Sequence, residues 1–131
     1  MIYTVSEAAK KLNVASSTIR YYDKEGLLPF VERSGGGIRM FQEKDFEWLY
    51  VIECLKKSGM PIKNIKRFID MSLKGDETIN ERLELFIKQR EEVLKQIEEL
   101  RQTLSILDYK CWYYETAKPV SYTHLFSART I

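Results

Sequence analysis

Two cysteines and one histidine are the whole stock of thiol and imidazole groups in this chain of 131 residues. Cys54 and Cys111 are not paired by spacing, and His124 is close to neither. A Cys-x-x-Cys zinc site and a disulfide framework are therefore not expected, and neither a metal nor another cofactor is assigned. With neither a cysteine nor a histidine close to it in sequence to act as partner or base, Cys54 does not point to a thiol enzyme. What remains is guanidinium and phenol chemistry: Arg20-Tyr21-Tyr22-Asp23, and a second pair of arginines, Arg33 and Arg39, bracketing Ser34-Gly35-Gly36-Gly37. Forked N–H donors of this kind fit phosphates and base edges, so the chemistry is that of nucleic-acid recognition if the fold presents these groups together.

The stretches that would present them read as short helices and a hairpin. Ile2, Tyr3 and Thr4 predict a short strand, and Ser6 is placed to cap a first helix with Val5, Ala8, Ala9 and Leu12 on one face. Asn13 tolerates left-handed backbone and takes the turn; after Val14 a second helix begins near Ser16 and Ser17, with Ile19 and Tyr22 facing inward. Two short helices joined by a tight turn are a helix-turn-helix, which places its second helix in the major groove. Ser17, Thr18, Arg20 and Tyr21 are the outward residues of that helix. Gly26 ends it, and residues 30–32 and 38–41 form the arms of a hairpin around the three glycines. Such a wing can lay Arg33 and Arg39 along a phosphate backbone, or one of them into a minor groove. A third helix over about residues 43–58 buries Phe46, Leu49, Ile52 and Leu55. Pro61 starts a fourth, carrying Ile62, Ile65, Phe68, Ile69 and Leu73.

Beyond Gly75 the pattern changes. Ile79, Leu83, Phe86, Arg90, Val93, Ile97, Leu100, Leu104, Leu107 and Cys111 recur at alternating steps of four and three, a coiled-coil period broken only by Arg90. A helix from about residue 77 to 116 would be roughly 60 Å long, more than so small a domain can bury. Its seam, Leu83, Phe86, Val93, Ile97, Leu100, Leu104 and Leu107, must meet a second copy, and a homodimer is expected. Ile87 and Leu94 widen the seam, which suggests that its first half also packs on the globular part. The fold class is mainly α, a winged helix-turn-helix head followed by a long coiled-coil dimerisation helix. The domains are expected at residues 1–75 and 76–117, with a tail at 118–131.

The net charge of +2 is spread unevenly, with 13 Lys and Arg against 10 Asp and Glu in residues 1–76 and 8 against 9 in the rest. This bias alone would not argue for nucleic acid. No charged segment leads into an apolar one at the start, and no apolar run reaches the 18 residues of a membrane span, so a soluble, cytoplasmic protein with no membrane partner is expected.

Arg20-Tyr21-Tyr22-Asp23, Gly26-Leu27-Leu28-Pro29, Arg33 with Gly37, Ile38 and Arg39, and Phe41 with Asp45 together resemble the MerR family of bacterial transcription regulators over about residues 2–116. The resemblance implies an antiparallel coiled-coil dimer that binds an inverted repeat in double-stranded promoter DNA. Once activated it would bend and untwist an overlong spacer so that RNA polymerase engages both promoter elements. It also implies base-edge and backbone contacts from Thr18, Arg20 and Tyr21, and wing contacts from Arg33 and Arg39. The family's metal sensors carry cysteines at the start of the dimer helix, where this chain has Asp76, Glu77 and Thr78, and its drug sensors add a large C-terminal domain. Residues 48–61 resemble the third helix of the aldehyde- and thiol-stress branch, the NmlR and AdhR types, in which a cysteine at the place of Cys54 is reactive.

Cys54 thus has two readings. A thiol one turn from Lys57 at the corner of the third and fourth helices is a candidate sensor of electrophiles, and equally a small buried hydrophobe. Trp112, Tyr113 and Tyr114 end the rod, as packing or as a pocket for a non-covalent ligand. Alternative functions are a coiled-coil adaptor, which leaves the arginines unexplained, and a MerR-like regulator of such a ligand. Residues 120–125 resemble one reading frame of a transposon adapter used in DNA sequencing, so the tail is expected to be a scar.

Overall fold

The first helix is set by its cap. In a computed structural model, which describes residues 1–119, Thr4 and Glu7 form a reciprocal capping box: the Glu7 N–H donates to Thr4 Oγ1 at 3.1 Å and the Thr4 N–H to Glu7 Oε1 at 2.9 Å. The expected cap, Ser6, instead lies inside α1 (Val5–Leu12), because the box needs an acidic residue three places on and only Thr4 has one. Asn13 then adopts φ 59°, ψ 45°, and among the described residues is the one non-glycine with positive φ. This left-handed step turns the chain into α2 (Ser16–Lys24).

The strands frame this pair. β1 (Ile2–Tyr3) and β2 (Glu32–Arg33) both pair antiparallel with β3 (Arg39–Gln42), which lies between them, with Tyr3 opposite Phe41 and Arg33 opposite Arg39. β3 leads directly into α3 (Glu43–Lys57), where the buried Asp45 carboxylate accepts the Gln42 N–H at 2.8 Å. α4 (Ile62–Leu73) follows, and a single 3-10 turn, Asp76–Thr78, leads into α5 (Ile79–Ala117).

One core joins these elements. Ala8, Ala9, Ile19 and Tyr22 from the helix-turn-helix meet Leu27, Leu28 and Phe41 and the buried faces of α3 (Phe46, Leu49, Ile52, Leu55) and α4 (Ile65, Phe68, Ile69). Leu73 was expected among them but is 55% exposed, and Met71 is buried in its stead. The cause is the corner after α4, where the chain turns back over Met71: Thr78 Oγ1 donates to Met71 O at 2.6 Å, and Arg82 Nη2 to Gly75 O at 2.8 Å.

The contacts divide the chain into two compact units, the first Met1–Gln89, the second beginning at Arg90. The first takes in the opening turns of α5. Leu85 packs on the core, Phe86 meets Phe68 edge-on at 5.0 Å, and Gln89 Nε2 donates to Ser58 O at 2.9 Å. Phe86 ends a ladder of rings: Phe30 stacks on Trp48 at 5.3 Å, Trp48 lies 6.2 Å from Phe68, and Phe68 meets Phe86. In the second unit α5 continues with no buried residue. α5 spans 39 residues, about 58 Å. Along the predicted seam Leu83, Ile97, Leu100, Leu104 and Leu107 are all exposed within one chain, from 47% at Ile97 to 68% at Leu100. Phe86 is partly covered and Val93 half-buried. The tail suspected as a scar lies outside the described residues.

The capping geometry separates two neighbouring hydroxyls. Thr4→Ala should lower the stability of the head by about 1 kcal/mol, whereas Ser6→Ala should leave it nearly unchanged. Urea unfolding of the two variants against wild type measures the difference.

Candidate nucleic-acid interface

The second helix of the pair displays the expected side chains because its apolar residues fall on the opposite face. Ile19 and Tyr22 are buried, while Ser17 and Arg20 are exposed, Tyr21 is 42% exposed and Thr18 is half-buried. α2 has no side-chain cap and no acidic residue in its first turn. The Thr18 N–H donates to Ala15 O at 3.0 Å, while the first N–H groups of the helix and its positive dipole end remain available to an anion such as a phosphate. Composition hints at this only indirectly: Ala15 stands at the cap position, where a polar residue would have satisfied those donors.

α2 is fixed from behind by Tyr22. Its hydroxyl donates to Glu53 Oε1 of α3 at 2.5 Å, and Lys56 Nζ lies 5.3 Å from its ring centre. Burial, then the hydrogen bond to the Glu53 carboxylate, pushes the Tyr22 phenol well above its ordinary range, so it remains a neutral donor. At the other edge of the head, Tyr3 and Lys11 both donate to Glu43, Lys11 at 3.1 Å, and the Tyr3 hydrogen bond is the largest influence holding the Glu43 carboxyl below its usual value.

The wing is the paired β2 and β3 with their connecting turn. Its two arginines have different placements. Arg33 is half-exposed beside the tip, with Nη1 3.3 Å from Gly37 O and Nη2 3.6 Å from Asp23 Oδ2. Arg39 departs from the expectation of a free wing cation. Its Nη1 donates to Leu28 O at 3.1 Å and Val31 O at 2.7 Å, and its Nη2 is ion-paired with Asp23 of α2. Only 16% of the Arg39 side chain is exposed. A guanidinium with five donors and no acceptor suits a site lined by carbonyl and carboxylate oxygens, and here it ties α2, the following loop and β3 together. Asp23, read from sequence only as part of a motif, is the hub for both arginines.

Cys54 is exposed, with Leu12, Asn13, Val14, Tyr50, Glu53 and Lys57 around an open cleft of about 420 Å³. The thiol therefore faces the turn between α1 and α2 and is not a buried hydrophobe at the α3–α4 corner. The core-facing positions of α3 explain the difference, since Ile52 and Leu55 take the inward positions on either side of it. Cys111 is exposed on α5. Among the described residues no group of three or more His, Cys, Asp or Glu is placed to hold a metal ion, and no helix is long and apolar enough to cross a membrane.

Residues 3–72 match the model of the MerR helix-turn-helix family of regulatory proteins, and residues 46–109 match the MerR DNA-binding model. The chain belongs to the MerR family of DNA-binding transcriptional regulators. It is 48% identical over 118 residues to an uncharacterised helix-turn-helix transcriptional regulator of Haemophilus influenzae, covering 90% of this chain and 87% of the relative. It is 29% identical to AdhR of Bacillus subtilis over 91 residues, covering 70% and 65% of the two chains. Among solved structures it resembles HiNmlR, a MerR family regulator lacking the sensor domain, bound to promoter DNA (47% identity, TM-score 0.82, covering 92% of this chain and 96% of that one). A MerR regulator of Bacillus thuringiensis is similar at 44% identity and a TM-score of 0.80, covering 87% and 100% of the two chains. These similarities support the NmlR-like branch within the MerR family.

The two arginines classed together by sequence should part in experiment. Arg39→Ala leaves the Leu28 and Val31 carbonyls without their donor and Asp23 with only the longer contact to Arg33, and should destabilise the head by about 2 kcal/mol, less than the roughly 3 to 5 of a fully buried pair because both partners are partly wet. Arg20→Ala should leave the melting temperature unchanged and weaken binding to selected genomic fragments by about 1 to 3 kcal/mol, with little effect on random duplex. Thermal melts combined with binding isotherms on both DNAs distinguish the two roles.

Proposed function

We propose that the chain binds an inverted repeat in promoter DNA as a homodimer and switches transcription by distorting the spacer between the promoter elements that RNA polymerase reads. The observation that carries this reading is the outward face of α2, Ser17, Thr18, Arg20 and Tyr21, locked to the wing through Asp23 and Arg39. In such an arrangement α2 addresses base edges in the major groove while the wing and the uncapped start of α2 hold phosphates. The promoter-bound state of HiNmlR, similar along nearly its whole length, supports it. Bending a site of 20 to 30 base pairs costs roughly 1 to 6 kcal/mol, within reach of a modest rearrangement of the two heads.

The dimer reading rests on the seam. A row of exposed leucines and Ile97 along α5 is apolar surface that one chain leaves uncovered, and a two-fold copy covers it with the same residues. The coiled-coil adaptor remains the weaker reading, since it gives no role to the outward face of α2 or to the wing.

The signal proposed is a soft electrophile such as an aldehyde, taken up at Cys54. The sulfur adds to the carbonyl carbon, the C=O π bond opens, and the carbonyl oxygen takes the proton given up by the thiol, so no oxidant is required. The adduct would lie in the cleft beside Asn13 and Val14, against the turn that sets α1 on α2, and next to Glu53, which holds Tyr22. It would act on the recognition helix directly and not by overfilling a packed corner.

Binding to random duplex should weaken steeply as salt rises, as contacts to phosphates require, and a flat salt dependence would remove DNA as the partner. Ile97→Asp combined with Leu104→Asp puts two charges per chain into the seam and should yield monomers or unfolded protein, whereas a stable dimer by sedimentation would refute the seam. For the signal, aldehyde should alter transcription from the bound promoter with wild type and with Cys111→Ser but not with Cys54→Ser. A full response in Cys54→Ser would move the sensor elsewhere, to Trp112, Tyr113 and Tyr114 at the end of α5 first.

A further inference from the structure

The tip of the wing contains glycines that the fold itself does not require. Gly37 has φ 83°, a conformation that L side chains rarely adopt, so glycine there follows from the turn. Gly35 and Gly36 are different. Neither has positive φ, and an added Cβ would meet nothing within 4 Å at Gly35 and only Ser34 Oγ, at 3.9 Å, at Gly36. Alanine would fit both positions and would reduce the entropy of the unfolded chain, so in the isolated protein these glycines only weaken the wing.

Nor is the tip a slack loop. The Gly37 N–H donates to Ser34 O at 2.9 Å, the Ser34 N–H to Ile38 O at 2.8 Å, and the Ile38 N–H to Ser34 Oγ at 3.2 Å. Ser34 thus closes the turn from both sides. Within that closed turn the N–H groups of Gly35 and Gly36 donate to no acceptor among the described residues. Two successive backbone donors, unshielded by any side chain and held in a fixed turn, form a site for an anionic oxygen. The Arg33 guanidinium, 3.3 Å from Gly37 O, sits beside them and adds positive charge.

We infer that the wing tip grips a backbone phosphate of duplex DNA through the Gly35 and Gly36 amides themselves, and that both positions are glycine so that the phosphate can come closer than a Cβ would permit. The inference rests on the DNA-binding reading above and adds to it the atoms that make the wing contact. A backbone donor carries no base information, so this contact positions the wing without selecting sequence. It also replaces the role that sequence assigned to Arg39, whose two terminal nitrogens are both engaged inside the head.

The test uses full-length dimer with Gly35→Ala, Gly36→Ala and Gly37→Ala variants, a fluorescent random-sequence duplex, and thermal melts. Gly35→Ala and Gly36→Ala should melt at or slightly above the wild-type temperature yet bind the duplex about tenfold more weakly, the loss of a charge-assisted hydrogen bond. Gly37→Ala should melt lower, which shows that the melts detect strain at the tip. Amide NMR of wild type during duplex titration supplies a reading independent of the variants. The Gly35 and Gly36 resonances should shift strongly, while Gly59, at the end of α3, should not. Wild-type affinity in folded Gly35→Ala and Gly36→Ala, or unmoved Gly35 and Gly36 amides in a bound complex, overturns the inference. Failure of wild type to bind duplex at all would instead overturn the parent reading, and this one with it.

Discussion

The DNA-facing surface depends on one partly buried ion pair. Arg39 reaches from β3 to Asp23 at the end of α2 and holds the Leu28 and Val31 carbonyls on the way. Without it the Leu28 and Val31 carbonyls would lose their donor and the Asp23 carboxylate would keep only the longer contact to the half-exposed Arg33. That arrangement is costly in a partly dry site, so removing the arginine loosens the wing on the helix. A duplex presents its major groove and neighbouring phosphates at fixed separations, and two contact elements can use both only if their spacing is fixed as well. The clamp supplies that spacing, and Ser34 does the same on a smaller scale at the tip.

Much of this was legible in the sequence, for identifiable reasons. Ile19 and Tyr22 fall on one face of α2, so Ser17, Arg20 and Tyr21 had to fall on the other, and Asn13 announced the left-handed step between α1 and α2. The period of α5 was equally plain, because apolar residues at three- and four-residue spacing have no other use along so long a helix. What escaped was whatever depends on contacts distant in sequence. Arg39 and Asp23 are 16 positions apart, and nothing local distinguishes a clamp from a free cation. Leu73 keeps the helical spacing of α4, but the chain turns over Met71 instead. Cys54 lies between two inward residues of α3, and only the packed helix reveals that the thiol faces the turn after α1. Ser6 had the right chemistry for a cap, while Thr4 had the right partner in Glu7.

α3 serves several surfaces at once. Its inward residues complete the core, Glu53 accepts the hydrogen bond of Tyr22, Cys54 lines the cleft at Asn13, and Trp48 joins the ring ladder. A helix of 15 residues with contacts on so many sides has few positions free to vary without consequence. The contrast is with the second unit, where α5 has one apolar stripe and is otherwise solvated. Disturbance of α3 reaches the recognition helix through Glu53 and Lys56 at Tyr22 and through the shared core, and the wing through the Phe30–Trp48 stack and the Asp45–Gln42 hydrogen bond.

The ring ladder has an optical consequence. The chain has two tryptophans, Trp48 and Trp112, one in each compact unit. Trp48 is half-buried with its indole stacked on Phe30 and near Phe68, whereas Trp112 is 45% exposed beside Tyr109. Their emission should differ in wavelength and in access to a soluble quencher, so the native chain carries a separate fluorescent reporter for each half of the molecule.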